Sequence, residues 1–195
     1  MRVWILSLSI LFLIGCSYAE AGESFAGFNR IKKYDRHFSK YSKRYFGPGF
    51  DWRFFKAQAI AESRLKQDAR SHVGAVGVMQ IMPRTFKEIK KKNSAIKGGL
   101  LKAKWNIAAG IWYDRTLWKI FTARRPFQDR VKFMFGSYNA GKGTIIKAQK
   151  KAAKKGLNPN LWQSIESVLP EITGRRSLET LKYIKKIQII KRVLR

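Results

Sequence analysis

Residues 59–67 read AIAESRLKQ and place one carboxylate, Glu62, inside an apolar helical run. On a wheel of 3.6 residues per turn, Glu62 shares its side with Phe55, Gln58 and Ala59, whereas Arg53, Lys56 and Arg64 lie opposite. A buried, unpaired carboxylate is costly and responds with a raised pKa, which is what a general acid needs near neutral pH. A structural Glu paired with a buried Arg or Lys fits the same pattern, so the wheel alone leaves both interpretations open.

The composition indicates one globular domain with an anionic partner. The chain has 195 residues, 45% of them hydrophobic and 13% aromatic, which excludes disorder by composition. Lys and Arg number 41 against 12 acids, a formal charge of +29. Nucleic acid, a membrane surface or an acidic wall polymer would each attract such a chain. The basic residues are spread along the sequence, so charge alone does not choose among these partners.

The first sixteen residues, MRVWILSLSILFLIGC, are typical of a secretory signal. An apolar run too short to span a bilayer follows Arg2 and ends at Cys16, the only cysteine, so no disulfide can form within the chain. The residues before Cys16 resemble a bacterial lipoprotein signal. We therefore predict a signal peptide over 1–15, a lipidated Cys16 and a tether over 16–29. Ser17 resembles the sorting pattern for the outer membrane. The alternative is an ordinary signal with an incidental cysteine.

The remaining chain has helical periodicity and no useful alternating pattern. Asp51 is a fair N-cap for one helix, and Pro83 can begin another. After a first helix that ends near Gly47, the predicted helices are Trp52–Ser63, Pro83–Lys92, Trp105–Phe121, Pro126–Phe135, Thr144–Lys155, Leu161–Val168 and Leu178–Leu194. We read residues 138–141, YNAG, as a turn. The predicted class is mainly α: short helices around one core, in a single domain over 30–195.

Several short blocks then occur in a fixed order. They are Glu62-Ser63, SHVGAVGVMQIMP at 71–83, NIAAGIWY at 106–113, SYNAG at 137–141 and ETLKY at 179–183. Any one would be weak evidence, but the ordered set is specific. Together they resemble the catalytic module of lytic transglycosylases of the soluble lytic transglycosylase (SLT) type, including the membrane-bound enzymes. The resemblance covers about Tyr34 to Ile187 and implies a lysozyme-like α fold related to goose-type lysozyme.

The resemblance implies a reaction with Glu62 as the sole acid and base, and no cofactor. Glu62 would protonate the glycosidic oxygen between N-acetylmuramic acid and N-acetylglucosamine. It would then accept the proton of the muramic acid 6-hydroxyl, which attacks its own anomeric carbon and gives a 1,6-anhydro sugar without water. One carboxylate suffices because the N-acetyl group of the substrate can stabilise the cationic centre, unlike the two-carboxylate scheme of most glycosidases.

The same resemblance implies a set of substrate-binding residues: Ser63, Met79, Gln80, Tyr138, Asn139 and Tyr183. Ser63 would support Glu62 or the acetyl group, and the Tyr183 hydroxyl would reach Glu62. Without the resemblance, these residues would be read as helix ends, turns or core. Trp112 and Tyr113 are read as core, and the other acids as solvated: Asp68 as a turn residue, and Glu88, Asp114 and Asp129 as ordinary surface acids.

Departures from the family pattern occur beside YNAG, at Gly136, Ser137 and Lys142. They concern the groove and not the chemistry.

Two other functions stay open at this point. A lysozyme on the same fold would hydrolyse the same bond, and it would need a second acid to position water. A non-catalytic basic protein that binds wall, lipopolysaccharide or nucleic acid would be indifferent to Glu62. Nucleic acid is disfavoured, because the signal directs the chain to the bacterial envelope and no nucleic-acid motif occurs. His37 and His72 have no matching ligand cluster, so no metal site is predicted.

Overall fold

A computed structural model describes residues 24–195, and most of that chain is α-helical. A short 3-10 helix, Gly27–Arg30, comes first. The α-helices are α1 (Asp35–Phe46), α2 (Arg53–Ser63), α3 (Pro83–Lys92), α4 (Ala103–Trp118), α5 (Phe127–Ala140), α6 (Lys142–Lys154), α7 (Trp162–Thr173) and α8 (Arg176–Val193). Within these residues the only β-type pairing is two isolated bridges, Arg70 to Val76 and Val76 to Ile81. The mainly α class is therefore confirmed.

Helix α2 is the central element, because residues 54–60 are all buried. It packs most extensively against α8, while α1 packs on α4. Its burial extends to Lys56, which the wheel had placed on the solvated side. The Lys56 ammonium lies 2.7 Å from Asp35 Oδ1 and donates to the Ile31 carbonyl at 2.8 Å. A buried charge is tolerated here because it has both an ion-pair and a hydrogen-bond partner.

An aromatic cluster fills the space between α1, α2 and α4. Phe46 and Phe50 have ring centroids 4.4 Å apart, and Trp118 meets Phe50 edge-on at 5.6 Å. Phe55 stacks on Phe50 at 5.3 Å. Such pairs add to the free energy of burial through their offset and edge-to-face geometry. The cluster fixes the start of α2 and therefore the direction of the helix that carries Glu62.

The ends of α2 and α8 are joined by Asp51. Its carboxylate accepts from the Arg53 backbone N–H at 3.0 Å and lies 2.8 Å from Lys191 Nζ. Burial alone would raise its pKa, but the hydrogen bonds from Arg53 and Lys191 lower the pKa of Asp51 to about 2. The N-cap of α2 is Trp52, one residue after the predicted Asp51. Asp51 nevertheless binds the backbone of Arg53 and holds α8 alongside α2.

Several predicted boundaries shift. The YNAG segment is not a separate turn, because Tyr138 to Ala140 form the last turn of α5, which ends where Gly141 adopts φ +86°. Gly136 is explained by packing: a Cβ there would lie 2.6 Å from a ring carbon of Trp162. Helix α7 also runs through Pro170 to Thr173 instead of ending at Val168.

The folded unit begins before Arg30. Phe28 is buried, and Asn29 donates to the Val193 carbonyl at 2.7 Å and accepts from the Arg195 backbone N–H at 2.8 Å. Residues 24–29, predicted as tether, are therefore attached to the domain at their C-terminal end. The predicted signal peptide (1–15), Cys16 and the tether up to residue 23 lie outside the described residues.

Candidate active site

Glu62 lies one residue before the end of α2. The helix ends at Ser63 because the two residues after it, Arg64 and Leu65, have positive φ angles of 54° and 63°. The chain then enters a loop over residues 64–82, which we call the wall loop. It returns to the end of α2, because the Ser63 hydroxyl donates to the Val78 carbonyl at 2.8 Å. This bond brings Val78, fifteen residues along the chain, next to Ser63 and therefore beside Glu62.

Helix α8 supplies the nearest partners of Glu62. The Tyr183 hydroxyl donates to Glu62 Oε1 at 2.5 Å, which is the contact that the family resemblance implies. Lys186, one turn further along α8, donates to the Ala61 carbonyl at 3.1 Å. The carboxylate therefore does not form a simple buried ion pair, since the ammonium is held by the backbone beside it.

Burial raises the pKa of Glu62 to about 7. The hydrogen bond from Tyr183 and the positive charge of Lys186 both lower this pKa, and the negative charge of Glu179 adds to the rise. Desolvation by the surrounding core is the largest effect. A carboxyl group with this pKa is populated in both protonation states near neutral pH, so it can act as an acid and then as a base.

The wall loop is held in shape by Asn106, which is fully buried on α4. Its Oδ1 accepts from the Met79 backbone N–H at 2.7 Å, and its Nδ2 donates to the carbonyls of Val76 and Leu100 at 2.9 and 3.1 Å. Gly77, with φ +83°, is required here, since a Cβ would lie 2.5 Å from Asn106 Nδ2. Asn106 lies in the NIAAGIWY block at 106–113, but its supporting role was not predicted from the sequence. A polar residue in an Ala- and Ile-rich helix was the available signal.

The loop residues predicted to bind substrate have different positions. The Met79 side chain is fully buried, with Gly110 packed against it, so the expectation that it lines a groove is corrected. Gln80 is partly exposed at φ 46°, and its amide nitrogen donates to the carbonyls of Ala69 and Gly77. The Ser63 hydroxyl contacts backbone carbonyls, and its predicted support of Glu62 or substrate stays a prediction.

Two further predicted residues come from the end of α5. The Tyr138 hydroxyl donates to the Met79 carbonyl at 2.8 Å, and its ring meets Tyr113 edge-on at 5.5 Å. Asn139 Oδ1 accepts from the Thr180 hydroxyl at 2.8 Å, and Asn139 borders a pocket of about 270 Å³ that also includes Glu179. Tyr138 thus supports the wall loop, whereas Asn139 joins α5 to α8 beside Glu62.

The structure corrects the predicted position of Asp114. It was predicted from the sequence to be a surface acid, but it is fully buried on α4. Gln58 Nε2 donates to Asp114 Oδ1 at 3.4 Å. Burial raises the pKa of Asp114 well above its usual range, and the charge of Glu62 adds to the rise. The signal was present, since the positions three, four and seven residues away on α4 are apolar: Ile107, Gly110, Ile111, Leu117 and Trp118.

Neither a metal cluster nor a membrane span occurs in the described part of the chain. Among residues 24–195, no group of three or more His, Cys, Asp and Glu side chains could hold a metal ion. In the same range, no helix has the length and apolar character needed to cross a bilayer.

Comparison with known proteins gives a consistent result. Residues 36–160 match the family model described as the transglycosylase SLT domain. The chain is 32% identical over 155 residues to membrane-bound lytic murein transglycosylase F of Shewanella pealeana, covering 80% of this chain and 30% of that protein. The same-named protein of Pseudomonas fluorescens strain Pf-5 is 28% identical over 154 residues, 79% of this chain and 30% of that protein.

Solved structures are similar as well. The crystal structure of the 70 kDa soluble lytic transglycosylase from Escherichia coli matches with a TM-score of 0.64 and 25% identity, over 82% of this chain and 24% of that one. The lysozyme-like fold expected from the sequence is therefore confirmed. The chain spans only about 30% of the length of the curated relatives that it matches.

Proposed function

The chain belongs to the transglycosylase SLT family, and on that premise we propose that it is a lytic transglycosylase that cleaves the β-1,4 bond between N-acetylmuramic acid and N-acetylglucosamine in peptidoglycan. The observation that carries the proposal is the state of Glu62. Its pKa is raised to about 7, and the Tyr183 hydroxyl bonds it at 2.5 Å, at the junction of α2, α8 and the wall loop. The names of the matched relatives support the same activity.

The proposed reaction uses Glu62 twice. The protonated carboxyl donates its proton to the glycosidic oxygen as the bond to the muramic acid anomeric carbon breaks. The resulting carboxylate then accepts the proton of the 6-hydroxyl while that oxygen bonds to the anomeric carbon, and a 1,6-anhydro sugar is formed. Glu62 ends protonated, as it began. Tyr183 would stabilise the intermediate carboxylate, because a hydrogen bond to the charged form lowers its free energy.

The groove is proposed to lie along the wall loop and the end of α5. Gln80 and Asn139 are partly exposed there, and each side chain has an amide that can pair with an acetamido group. Tyr138 would act through its bond to the Met79 carbonyl, which fixes the loop. Ser63 would act in the same way through Val78.

Hydrolysis by water is the competing outcome, and it would need a second acid that reaches the groove. Asp114 is the buried acid whose charge interacts with that of Glu62, but it has no exposed surface. An enclosed carboxyl cannot hold a water molecule in a groove. Glu179 is exposed, its charge acts on Glu62, and it borders the pocket beside Asn139, so it is the acid that a lysozyme would use to position water. The identity of the products therefore separates the transglycosylase from the lysozyme.

The test is mass spectrometry of the soluble products from purified peptidoglycan. We expect anhydro-muropeptides from the wild type and none from Glu62→Gln. Glu171→Gln is the matched control, because Glu171 is an exposed acid that pairs with Lys151 and Lys155 and does not act on Glu62, and it should retain the products. Reducing-end products would instead establish a lysozyme. The absence of products from the wild type would leave a wall-binding protein.

We also propose that the protein resides in the bacterial envelope, on the periplasmic side and anchored by lipid at Cys16, most simply in the outer membrane. The support is the signal-like sequence and the membrane-bound relatives. Labelled palmitate should be incorporated by the wild type and not by Cys16→Ser. Equal labelling of the two would remove the anchor.

The positive charge is proposed to bind anionic envelope polymers or wall peptide carboxylates. One exposed basic surface surrounds an apolar floor, and its residues are Pro83, Phe86, Lys87, Lys90, Lys91 and Leu100. Exposed charge pairs are screened by salt, so binding of Glu62→Gln to purified wall should weaken as salt rises. Binding that is unaffected by salt would contradict an electrostatic role.

A further inference from the structure

Two buried oxygen atoms behind Glu62 have no hydrogen-bond partner, and they belong to paired side chains. They are Gln58 Oε1 and Asp114 Oδ2. Both residues are fully buried. The other halves of the same two groups are joined, since Gln58 Nε2 donates to Asp114 Oδ1 at 3.4 Å. Buried polar atoms are almost always paired, so two unpaired acceptors on adjacent groups require an explanation.

A proton on Asp114 Oδ2 would give both atoms a hydrogen-bond partner. An ionised carboxylate can only accept, and so can an amide oxygen, so Asp114 Oδ2 and Gln58 Oε1 cannot bond to each other when Asp114 is charged. A protonated carboxyl has an O–H donor, and it is complementary to an amide through two bonds. We propose that Asp114 is a neutral acid that donates to Gln58 Oε1 while it accepts from Gln58 Nε2, and that this acid–amide pair positions the segment of α2 that carries Glu62.

The position of the pair gives it this role. Gln58 precedes Glu62 by one helical turn and lies on the same side of α2. Asp114 is on α4, which also carries Asn106, the residue that holds the wall loop. The pair therefore ties the helix of the acid and base to the helix that supports the opposite side of the site. We class Asp114 as a positioning residue, because it acts through Gln58 and does not reach the groove.

The electrostatic surroundings agree with a neutral acid. The ionisable groups that face Asp114 are Glu62 on α2, Tyr113 on its own helix, Tyr138 on α5 and Tyr183 on α8. None of these four can carry a positive charge, so none would stabilise an Asp114 carboxylate. Burial raises the pKa of Asp114 well above its usual range, and only the Gln58 hydrogen bond opposes the rise.

The first test is spectroscopic and does not depend on the proposed function. The infrared difference between Glu62→Gln and Glu62→Gln combined with Asp114→Asn at pH 7 should contain the C=O stretch of a protonated carboxyl group, and Glu62 cannot contribute to it. Carboxylate bands alone would overturn the proposal. Because this measurement needs no substrate, a protein that failed to digest peptidoglycan would still test the pair.

The second test uses activity, and it rests on the proposed function. Asp114→Asn keeps both bonds, since its amide can donate to Gln58 Oε1. We therefore expect a rate within about twofold of wild type and an unchanged midpoint in the pH profile. If Asp114 were ionised, its replacement would remove a negative charge near Glu62, and the midpoint would fall by about one pH unit or more.

A swap separates positioning from general stability. Gln58→Glu places two carboxyl groups together and should reduce activity at least tenfold. Gln58→Glu combined with Asp114→Asn restores one acid and one amide, and it should recover most of that loss. Asp114→Leu keeps the branching of the side chain but removes the pair, and it should lose activity like the single Glu variant. A double variant as poor as Gln58→Glu would overturn the acid–amide pair.

Discussion

Replacement of Glu62 by Gln should make the folded protein more stable above neutral pH, although it removes the proposed catalyst. The pKa of Glu62 is raised from its ordinary value of 4.5 to about 7 in the folded state. Below about pH 4.5, Glu62 is protonated in both the folded and the unfolded states, so it does not reduce the folding stability. Between pH 4.5 and 7 the unfolded chain releases the proton first, so folding stability falls as pH rises, and above pH 7 the loss is complete.

The magnitude follows from the shift. Each pKa unit corresponds to about 1.4 kcal/mol, so the full shift gives at most about 3.5 kcal/mol. The carboxyl retains some contact with solvent, so we expect about half of that value. For a protein of this length, about 1.7 kcal/mol changes the melting temperature by about 3–7 °C. Gln stays neutral at every pH and can still accept the hydrogen bond from Tyr183.

The assay is the melting temperature of wild type and Glu62→Gln between pH 4.5 and 9. The two curves should meet at the acidic end and separate by several degrees above pH 7, with the variant higher. Asp51→Asn is the matched carboxyl-to-amide control with the opposite sign. The pKa of Asp51 is lowered to about 2, so its loss should destabilise the protein by a constant amount over this range. Parallel curves for wild type and Glu62→Gln would refute the raised pKa.

Three further predictions concern the supports of the site. Tyr183→Phe removes a hydrogen bond to the charged form of Glu62, so the midpoint of the pH–activity profile should rise by up to about one unit, and a fall would contradict that role. Asn106→Ala leaves the Met79 N–H and the Leu100 carbonyl without a partner and removes one of the two bonds to the Val76 carbonyl, so it should lower the free energy of unfolding in urea by about 2 kcal/mol or more, whereas a loss below about 1 kcal/mol would show that the wall loop does not depend on it. Gly136→Ala should cost about 1–3 kcal/mol in the same assay, because its Cβ would lie 2.6 Å from an indole carbon, while Gly143→Ala, with no atom within 4 Å of its Cβ, should not destabilise the protein.

The helices could be predicted where local chemistry determines them. The bounds Pro83–Lys92 agree because a proline begins the helix, and α2 ends at Ser63 as predicted. The end of α5 could not be predicted in the same way. A polar YNAG segment is typical of a turn, but backbone hydrogen bonds continue the helix until Gly141 takes a positive φ. Turn-forming residues show where a helix can end, not which of them is the last.

The site residues also differ in whether local sequence patterns could predict them. Glu62 could be identified from an acid on an apolar helix side, together with the family resemblance. Tyr183 is 121 residues away, and no periodicity predicts that its hydroxyl meets Glu62; only the resemblance supplied it. Asp114 was missed because it was judged by its basic neighbours in sequence. The same helical-wheel test that was applied to Glu62 would have placed Asp114 in the core. The side of the helix on which a residue lies decides its burial, and its neighbours in sequence do not.

The hydrogen bonds of Asn106 have a consequence for ligand recognition. A loop held by two bonds from one buried side chain, and by hydroxyls from two other helices, has little conformational entropy left to lose. A glycan strand that docks against it would not have to order it, so more of the contact free energy would appear as affinity. The same rigidity would limit adaptation: a strand that does not fit the preformed loop would be rejected by shape, and selectivity would be set during folding, before any substrate is met.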